Sequence, residues 1–473
     1  MRTIKLSFIV ITLSVFFQAC TGIKNIDSSI KPMPNTFAGT KDSANIANIS
    51  WKTYFSDSVL TALIDTALRS NLDLSIALQR IQMARENVRF AKGQLFPTIS
   101  VGGSAGVQQF GKYTLDGAGN TGLVIHNNEV AKQPFADYSL GLQTSWEVDL
   151  WGKIRNKKKA AVARYLADIE GKNWLVTQLV ADVADNYYEL LALDTELEII
   201  QSSIKLQDSA LSIVTIQKEA GVANELAVQQ FSAQLLNSQK MEIDVLQRIA
   251  ECENTINILL GRFPQTIVRN KSLLVKNIPN ALQMGVPSDL LQNRPDIKQA
   301  ELELKAANAN VLAARASCFP SLNINGTLGY QAFKPSLLLL PQSLAFNALG
   351  GLTAPLINRS AIKAEFRVSK AAQIEALCNY QKTILNGFRE VYNQMLSVKS
   401  SEKIVNLKSK EVAILSLAIN SSIELFKTGR ATYLEVLSAQ QNNLQSNIEL
   451  VNALKQQHNA EIGIYKALGG GWR

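Results

Sequence analysis

The chain has 473 residues, of which 47% are hydrophobic and 18% are charged, a composition that describes a folded protein and excludes an intrinsically disordered one. The net charge is +9, and the positive residues are spread along the chain apart from three consecutive lysines at 157–159. Because nucleic-acid-binding surfaces concentrate positive charge together with aromatic side chains, we predict no nucleic-acid partner.

The first twenty residues are typical of an export signal. Arg2 and Lys5 precede a short apolar run that is too short to span a bilayer. The run ends at Cys20 after an alanine, a pattern similar to a bacterial lipobox, in which the cysteine is acylated and becomes the new N-terminus. We therefore predict a signal peptide at residues 1–19, lipidation of Cys20 and a lipidated, extended tether at residues 20–57. An ordinary signal peptide with an incidental cysteine is the alternative.

Residues 58–261 carry helix and strand patterns that we interpret as one repeat. Helical apolar spacing covers residues 58–95 and 153–260, and strand-like runs lie within residues 98–150. The second strand run alternates with period two, which is typical of a sheet with one apolar and one polar side. Its apolar set is Tyr138, Leu140, Leu142, Trp146 and Val148, and its polar set includes Ser139, Gln143, Ser145 and Glu147.

The helical pattern that begins at residue 153 is unusually long. Apolar residues recur every seventh position for about five heptads, interrupted by the polar Asn186 and Gln207, which favours a coiled-coil-type helix that ends near Gly221. At about 1.5 Å per residue, roughly 65 residues form a rod of about 100 Å, about three times the thickness of a bilayer core. A compact domain does not need such a rod.

The same order of elements recurs in the second half of the chain. The dipeptide Phe96-Pro97 returns 223 residues later, and Gly221 returns 208 residues later. Self-similarity of this kind indicates a duplicated fold. The predicted boundaries are a linker at residues 262–287, a second repeat at 288–469 with helices at 288–318 and 359–468 and strands at 320–356, and a tail at 470–473.

Each repeat supplies two predicted strands, so one chain supplies four. Four strands cannot close a barrel, and an open sheet edge is not tolerated in lipid. Outer-membrane barrels need at least about eight strands, which two chains would supply, whereas three chains would supply about twelve. Three chains give the wider lumen for polar side chains such as Gln143, Glu147, Asn323 and Asn325. We therefore favour three chains, and four chains remain an alternative.

Several motifs spread over both repeats carry a family resemblance. They are Asn71-Leu72-Asp73-Leu74, Trp146-Glu147-Val148-Asp149-Leu150-Trp151-Gly152-Lys153, Arg294-Pro295-Asp296-Ile297, Phe319-Pro320-Ser321-Leu322, Phe426-Lys427-Thr428-Gly429 and Tyr433-Leu434-Glu435-Val436-Leu437. Through them the whole mature chain resembles the TolC-like outer-membrane efflux proteins, in particular the lipoprotein branch that serves resistance-nodulation-division (RND) pumps.

The resemblance implies a mainly α fold with a membrane β-barrel contribution. Long coiled-coil-like helices form an α-barrel, and the four strands per chain complete a 12-stranded barrel in a homotrimer. The implied function is the outer-membrane exit duct of a tripartite efflux pump, which passively conducts drugs, metals or other small solutes from the periplasm to the outside. The implied location is the outer membrane, with a lipid anchor and a long periplasmic extension. The implied partners are a periplasmic adaptor protein, an inner-membrane RND transporter and the outer-membrane lipids.

The resemblance also implies a gate and a docking surface. Glu435, with Ser438 one turn further along the helix, matches the acidic ring that constricts the periplasmic end in the family. Three Glu435 carboxylates facing one another would repel each other and attract cations. The first repeat has Ala227 and Gln230 at the matching places, so gating would differ between the repeats. The positions that match the adaptor-contacting helix tips are Lys218, Gly221, Val222, Ala223, Lys427, Gly429 and Arg430.

No catalytic or metal-binding motif accompanies these features. The chain has two histidines, His126 and His458, and it lacks the HExxH and P-loop patterns. We therefore predict no enzyme activity and no cofactor. Two other functions stay open: the outer-membrane component of a type I protein secretion system, and a non-conducting coiled-coil lipoprotein that spans the periplasm. The strands with one polar face argue against the second, because a spacer needs no lumen.

Overall fold

The structure is a computed structural model that describes residues 34, 45–119, 124, 134–270, 274, 287–354 and 360–473. The predicted signal peptide, Cys20 and His126 lie outside the described residues. The longer elements, in chain order, are α1 (Ser58–Ser70), α2 (Leu72–Gly93), β1 (Thr98–Gln108), β2 (Phe135–Val148), α3 (Lys153–Glu219), α4 (Glu225–Leu259), α5 (Pro295–Ala316), β3 (Ser321–Ala332), β4 (Leu344–Thr353), α6 (Ser360–Lys427) and α7 (Tyr433–Ala467).

The two longest helices, α3 and α6, have 67 and 68 residues, and each is followed by a helix of 35 residues. Neither contains a proline, so the hydrogen-bonded ladder runs unbroken for about 100 Å at about 1.5 Å per residue. Each long helix is followed by a glycine with positive φ, 75° at Gly221 and 71° at Gly429. Glycine has no Cβ and adopts this left-handed conformation at little cost, which lets the chain reverse direction within a few residues.

The four strands form one antiparallel sheet in the order β1-β2-β3-β4. β1 pairs with β2 and β3 pairs with β4, so each repeat contributes one neighbouring pair of strands. The two pairs are joined by β2 and β3, whose register runs from Tyr138 opposite Ala332 to Val148 opposite Leu322. The predicted fold class, mainly helical with four strands in the chain, is confirmed.

The chain divides into two compact units. The strand unit is made of described residues within 83–165 and 302–377 and contains the sheet. The helical unit is made of described residues within 29–82, 166–301 and 378–473, and it contains the largest hydrophobic core, to which α1, α3, α4 and α7 contribute. The strand unit has a smaller core, in which alanines at 160 and 163 of α3 pack against alanines at 306 and 309 of α5.

Contacts within the helical unit recur at the two sequence offsets of the predicted duplication. Gly261 follows α4 with φ of 66°, and Gly469 follows α7 with φ of 89°. Gly261 lies against the carbonyl group of Ser70, and Gly469 lies against the carbonyl group of Asn293, 223 positions further along the chain. The end of the fourth helix and the end of the seventh are therefore fixed in the same way.

The residues that follow these carbonyls in sequence, Asn71 and Arg294, each donate a side-chain hydrogen bond to the end of a helix. Asn71 Nδ2 donates to the carbonyl of Leu259 at 2.9 Å, and Arg294 Nη1 donates to the carbonyl of Ala467 at 2.8 Å. Leu259 and Ala467 are the last residues of α4 and α7, so both bonds satisfy a carbonyl that the helix itself leaves without a partner.

Arg294 brings a charge into the core, and that charge is compensated locally. Its side chain is 1% exposed and forms ion pairs with Asp296 at 2.6 Å and Glu390 at 2.8 Å. The guanidinium also lies over the Trp174 ring, 5.0 Å from its centroid. Removing either carboxylate would leave part of a buried charge uncompensated, which is strongly destabilising in proteins. Asp296 therefore holds Arg294 in addition to marking the start of α5.

The sequence prediction for residues 45–57 is wrong, because these residues are not an extended tether. Residues Ile46–Asn48 form a 3₁₀ turn and Trp51–Tyr54 form a short helix. Phe55 is 2% exposed, and the Tyr54 ring stacks on Tyr465 with 4.1 Å between centroids. Elements of three or four residues are too short to display a helical period, so the sequence indicates their burial only through their aromatic residues. Burial of these aromatic side chains outweighs the conformational entropy lost when the segment is ordered.

The predicted linker and tail are also packed in part. Arg269, in the linker, forms a bidentate ion pair with Asp194 of α3. Its Nε donates to Oδ2, and its Nη2 donates to Oδ1 at 2.9 Å. It also pairs with Glu253 of α4. In the tail, Trp472 Nε1 donates to the carbonyl of Asn293 at 3.1 Å. Neither segment has a hydrophobic period, so the sequence pattern could not indicate these contacts.

Replacing Gly469 with alanine is expected to destabilise the protein by about 2 kcal/mol or more. The left-handed conformation costs alanine about 1–2 kcal/mol, and the new Cβ would lie 2.6 Å from the Asn293 carbonyl oxygen. Gly261→Ala is expected to behave alike, because its Cβ would overlap the Ser70 carbonyl. Gly93→Ala is the matched control, since its Cβ position has no neighbour within 4 Å. Thermal unfolding at one scan rate measures the effect, and equal midpoints for G469A and G93A would contradict it.

Candidate functional site

One face of the sheet is apolar and exposed. A cross-strand row on this face consists of Val101, Leu142, Leu328 and Phe346. Val101 is 76% exposed and Phe346 is 82% exposed in the single chain. A continuous exposed apolar band along every strand is unfavourable in water and typical of strands whose outer face contacts lipid.

The opposite face of the sheet carries small and polar side chains. One cross-strand row consists of Ser100, Gln143, Thr327 and Asn347, and a neighbouring row consists of Gly102, Gly141, Gly329 and Ala345. Polar side chains on this face bond to one another, as the Ser104 and Ser139 hydroxyls do at 2.7 Å. The second row carries nothing longer than a methyl group, and the Gln143 side chain of the first row lies next to Gly102. Such a face suits a water-filled lumen.

The sheet is open at both edges. Within the described residues, β1 pairs only with β2, and β4 pairs only with β3. The two edge strands have 11 and 10 residues, close to the roughly 9–11 that a tilted strand needs to cross a bilayer core. Every second backbone amide and carbonyl along these strands points outward from the sheet and needs a partner.

A polar cavity of about 330 Å³ lies at the end of the sheet next to the helices of the strand unit. Glu147, at the end of β2, forms an ion pair with Lys153 at 2.9 Å. Lys157, Ser321 and Thr353 line the same cavity. The motif at 146–153 therefore builds a charged site below the polar face, and the sequence pattern alone does not indicate this cavity.

The two helix tips have the same backbone geometry. After α3, the amide of Val222 donates to the carbonyl of Gln217 at 2.8 Å, and after α6, the amide of Arg430 donates to the carbonyl of Leu425 at 2.8 Å. These bonds are 208 residues apart and close each tip around its positive-φ glycine. The predicted tip residues Lys218, Gly221, Val222, Lys427, Gly429 and Arg430 are exposed, and Ala223 is half-buried.

The two tips differ in charge and in the cap of the helix that follows. In the first tip, Lys218 pairs with Glu225 and holds the pKa of that carboxyl below its usual range. Asn224 caps α4 by accepting the Ala227 amide at 2.9 Å. In the second tip, the equivalent cap is Thr432, which forms a capping box with a glutamate three residues further on.

That glutamate is Glu435, the residue predicted to gate the duct. Its Oε2 accepts the Thr432 amide at 2.5 Å, and the Thr432 hydroxyl lies 3.1 Å from the same oxygen. Glu435 and Ser438 are both exposed on the first turns of α7. At the matching places of the first repeat, Ala227 is fully buried and Gln230 is half-buried. The carboxylate therefore has a structural task in each chain, independent of any role in a ring.

The described residues contain no helix that is both long enough and apolar enough to cross a membrane. Over the same residues, no group of three or more His, Cys, Asp or Glu side chains is placed to hold a metal ion. His458 is buried against the Tyr188 ring, and its Nε2 lies 2.9 Å from the Leu274 carbonyl.

The family described as outer membrane efflux protein matches residues 63–262 and 286–470. The chain belongs to the outer membrane efflux protein family. The two matched segments fall on the two predicted repeats and together cover most of the chain.

Individual relatives match over nearly the full length. The solvent efflux pump outer membrane protein SrpC of Pseudomonas putida is 29% identical over 444 residues, covering 93% of this chain and 92% of SrpC. The cation efflux system protein CusC of Escherichia coli O6:H1 is 28% identical over 471 residues, covering 98% of each. The solved outer-membrane channel OprN superposes with a TM-score of 0.82 at 24% identity, over 96% of this chain and 97% of OprN. This efflux protein thus has the fold of the outer-membrane channel OprN over nearly its full length.

The two faces of the sheet predict opposite responses to a lysine in this efflux protein. Leu142→Lys is expected to block insertion into the outer membrane, because a lysine on a lipid-facing strand near the bilayer midplane costs about 2–4 kcal/mol. Gln143→Lys, the next residue on β2, places the same charge on the polar face and is expected to insert normally. The amount of protein that fractionates with the outer membrane measures the effect, and equal losses for both variants would contradict the assignment of the faces.

Proposed function

We propose that three copies of the chain close a twelve-stranded barrel and a helical duct, and that this trimer is the outer-membrane channel of a tripartite efflux pump. The observation that carries the proposal is the open four-stranded sheet with one apolar and one polar face. Pairing β4 of one copy with β1 of the next would give every edge strand a partner and put the polar faces around a common lumen.

The helix tips are the proposed docking surface for a periplasmic adaptor. Both tips are exposed, both reverse direction at a glycine, and both rest on a small apolar core that includes Val214, Phe231 and Val436. Small residues at the turns allow another helix end to approach closely. An inner-membrane RND transporter is the proposed energy-supplying partner of the adaptor.

Glu435 is the proposed charge of the periplasmic constriction. In a trimer, three copies of its exposed carboxylate would stand around the three-fold axis. Because Thr432 already holds each carboxylate at the start of α7, the orientation of the charge is fixed before assembly. Ser438, one turn further on, carries no charge, so the proposed ring has three acids. The first repeat contributes none, since its matching positions are Ala227 and Gln230.

Lipidation of Cys20 is the proposed second attachment to the membrane. Residues 45–57 pack into the helical unit, so a lipid on Cys20 would be connected to a fixed point of the fold through only about two dozen residues. A single acyl chain binds membranes weakly, and the barrel strands would supply most of the hold. Metabolic labelling with palmitate, lost in Cys20→Ala, is the expected signature.

Relatives of nearly equal identity are named for solvents and for cations. The polar face of the sheet is lined by hydroxyl and amide groups and glycines, which contact many small solutes without selecting one. We propose that the transporter selects the solute and that this protein conducts it.

Planar-bilayer recording of the mature protein tests the duct and its gate together. Wild type is expected to conduct with a preference for cations, measured as the reversal potential in a salt gradient. Glu435→Gln keeps the capping box, because glutamine also serves at this position, but removes the charge and is expected to lower the cation preference severalfold. Thr432→Ala keeps the charge, removes a cap hydroxyl and is expected to retain the preference. An unchanged reversal potential in E435Q would refute the gate, and no conductance in wild type would refute the duct.

A further inference from the structure

The four helices that connect to the sheet all meet it at one end. α2 and α5 end just before β1 and β3, whereas α3 and α6 begin just after β2 and β4. The register brings these junctions together, with Val148 opposite Leu322 and Ser321 opposite Thr353. If the strands cross the outer membrane, the adjoining helix ends lie at its periplasmic surface. The inference below therefore rests on the proposed function.

Positive charge is concentrated at these helix ends. Their residues within the strand unit, at 83–93, 153–165, 302–316 and 360–377, include fourteen Lys and Arg but four Asp and Glu. The remaining parts of the same four helices include twelve Lys and Arg and seventeen Asp and Glu. Summed over the four helices, the excess of positive charge lies in the parts that adjoin the sheet, and the start of α3 contributes most of it.

The start of α3 is the most basic of these ends. Between residues 153 and 164 there are six basic residues and no acidic one. The electric dipole of a helix disfavours cations at this terminus, so helix stability does not explain them. The terminus is instead capped by Asp149, whose carboxylate accepts the amides of Ile154 at 3.0 Å and Arg155 at 2.8 Å.

Part of this basic run lies on the side of α3 that faces away from the polar face of the sheet. Lys153 pairs with Glu147, which belongs to the polar face, and Lys157 lines the same cavity. At about 100° per residue, Lys158 and Lys159 flank the direction opposite Lys153. Lys159 is exposed and Lys158 is half-buried, and neither has an ion-pair partner among the described residues.

Two half-exposed apolar residues precede this side of the helix. Leu150 is 49% exposed and Trp151 is 48% exposed. The Trp151 ring is held by stacking on Phe319, and its Nε1 donates to the Pro320 carbonyl at 2.7 Å. An indole with a satisfied N–H and an exposed ring is favoured at the boundary between acyl chains and headgroups.

We propose that the face of α3 formed by Leu150, Trp151, Arg155, Lys158 and Lys159 binds the headgroup of an anionic phospholipid in the periplasmic leaflet of the outer membrane. The lysine ammonium groups would contact the phosphate, and their methylene stems and the Trp151 ring would lie against the acyl chains. Arg155, which already pairs with Asp149 at 3.1 Å, lies on the same side of the helix and adds to the local positive potential.

Lipid titration of the intact mature protein in a neutral detergent tests the proposed lipid site. Bound lipids are counted by native mass spectrometry, with phosphatidylglycerol as the anionic probe and phosphatidylcholine as the neutral one. Wild type is expected to prefer phosphatidylglycerol on the order of tenfold, from two basic residues near the headgroup. Lys158→Gln with Lys159→Gln is expected to remove most of this preference. Lys403→Gln with Lys410→Gln, two exposed lysines of the helical unit, is the matched control and is expected to retain it.

Three results would overturn the proposal. They are an equal affinity of wild type for the two lipids, a preference that K158Q/K159Q leaves intact, and a preference lost only in K153Q/K157Q, which would place the anion on the polar face. Reductive methylation of wild type supplies a test that needs no variant: bound phosphatidylglycerol is expected to protect Lys158 and Lys159 from the reagent. Wild-type conductance distinguishes failure of the lipid site from failure of the proposed function. A conducting trimer without lipid preference refutes only the lipid site, whereas the absence of a channel refutes the proposed function.

Discussion

The unpaired edges of a four-stranded sheet are the constraint on which this structure depends. A backbone amide or carbonyl without a partner costs several kcal/mol in hydrocarbon, so a sheet whose apolar face contacts lipid cannot keep two open edges. Within the residues that the structure describes, the chain does not close the sheet on itself, because β1 and β4 do not pair with each other. The proposed closure between copies meets this requirement, and it would place the polar faces around a common lumen.

Duplication explains how one chain supplies both a duct and its two ends. Each repeat provides a pair of strands, a helix of nearly 70 residues and a tip that reverses at a glycine. The backbone contacts recur at fixed offsets, whereas the side chains that make them have diverged, as Asn71 and Arg294 illustrate. The same divergence appears at the tips, where Asn224 caps one helix and the Thr432–Glu435 pair caps the other. Equal backbones with unequal side chains allow one repeat to carry a charge that the other lacks.

The extended periodic elements could be predicted from the sequence because each residue follows the local pattern. The alternation around Leu142 and Gln143 specifies both faces of β2, and glycine at 221 and 429 specifies both tips. The packing of Tyr54 and of Arg269 could not be predicted, because it depends on residues hundreds or dozens of positions away and on segments too short to show a period. The capping role of Glu435 could be predicted from the sequence, because Thr-x-x-Glu before an apolar helix is a known signature of a capping box.

The number of chains in the assembled protein tests the central claim most directly. The intact protein, extracted from membranes in a mild neutral detergent and weighed by native mass spectrometry, is expected to contain three chains. Three copies bring together about twelve strands, the number that the open sheet and the polar lumen require in this account. A stable assembly of two or four chains would contradict the twelve-stranded closure, and a single chain in the membrane-inserted state would contradict closure between copies altogether.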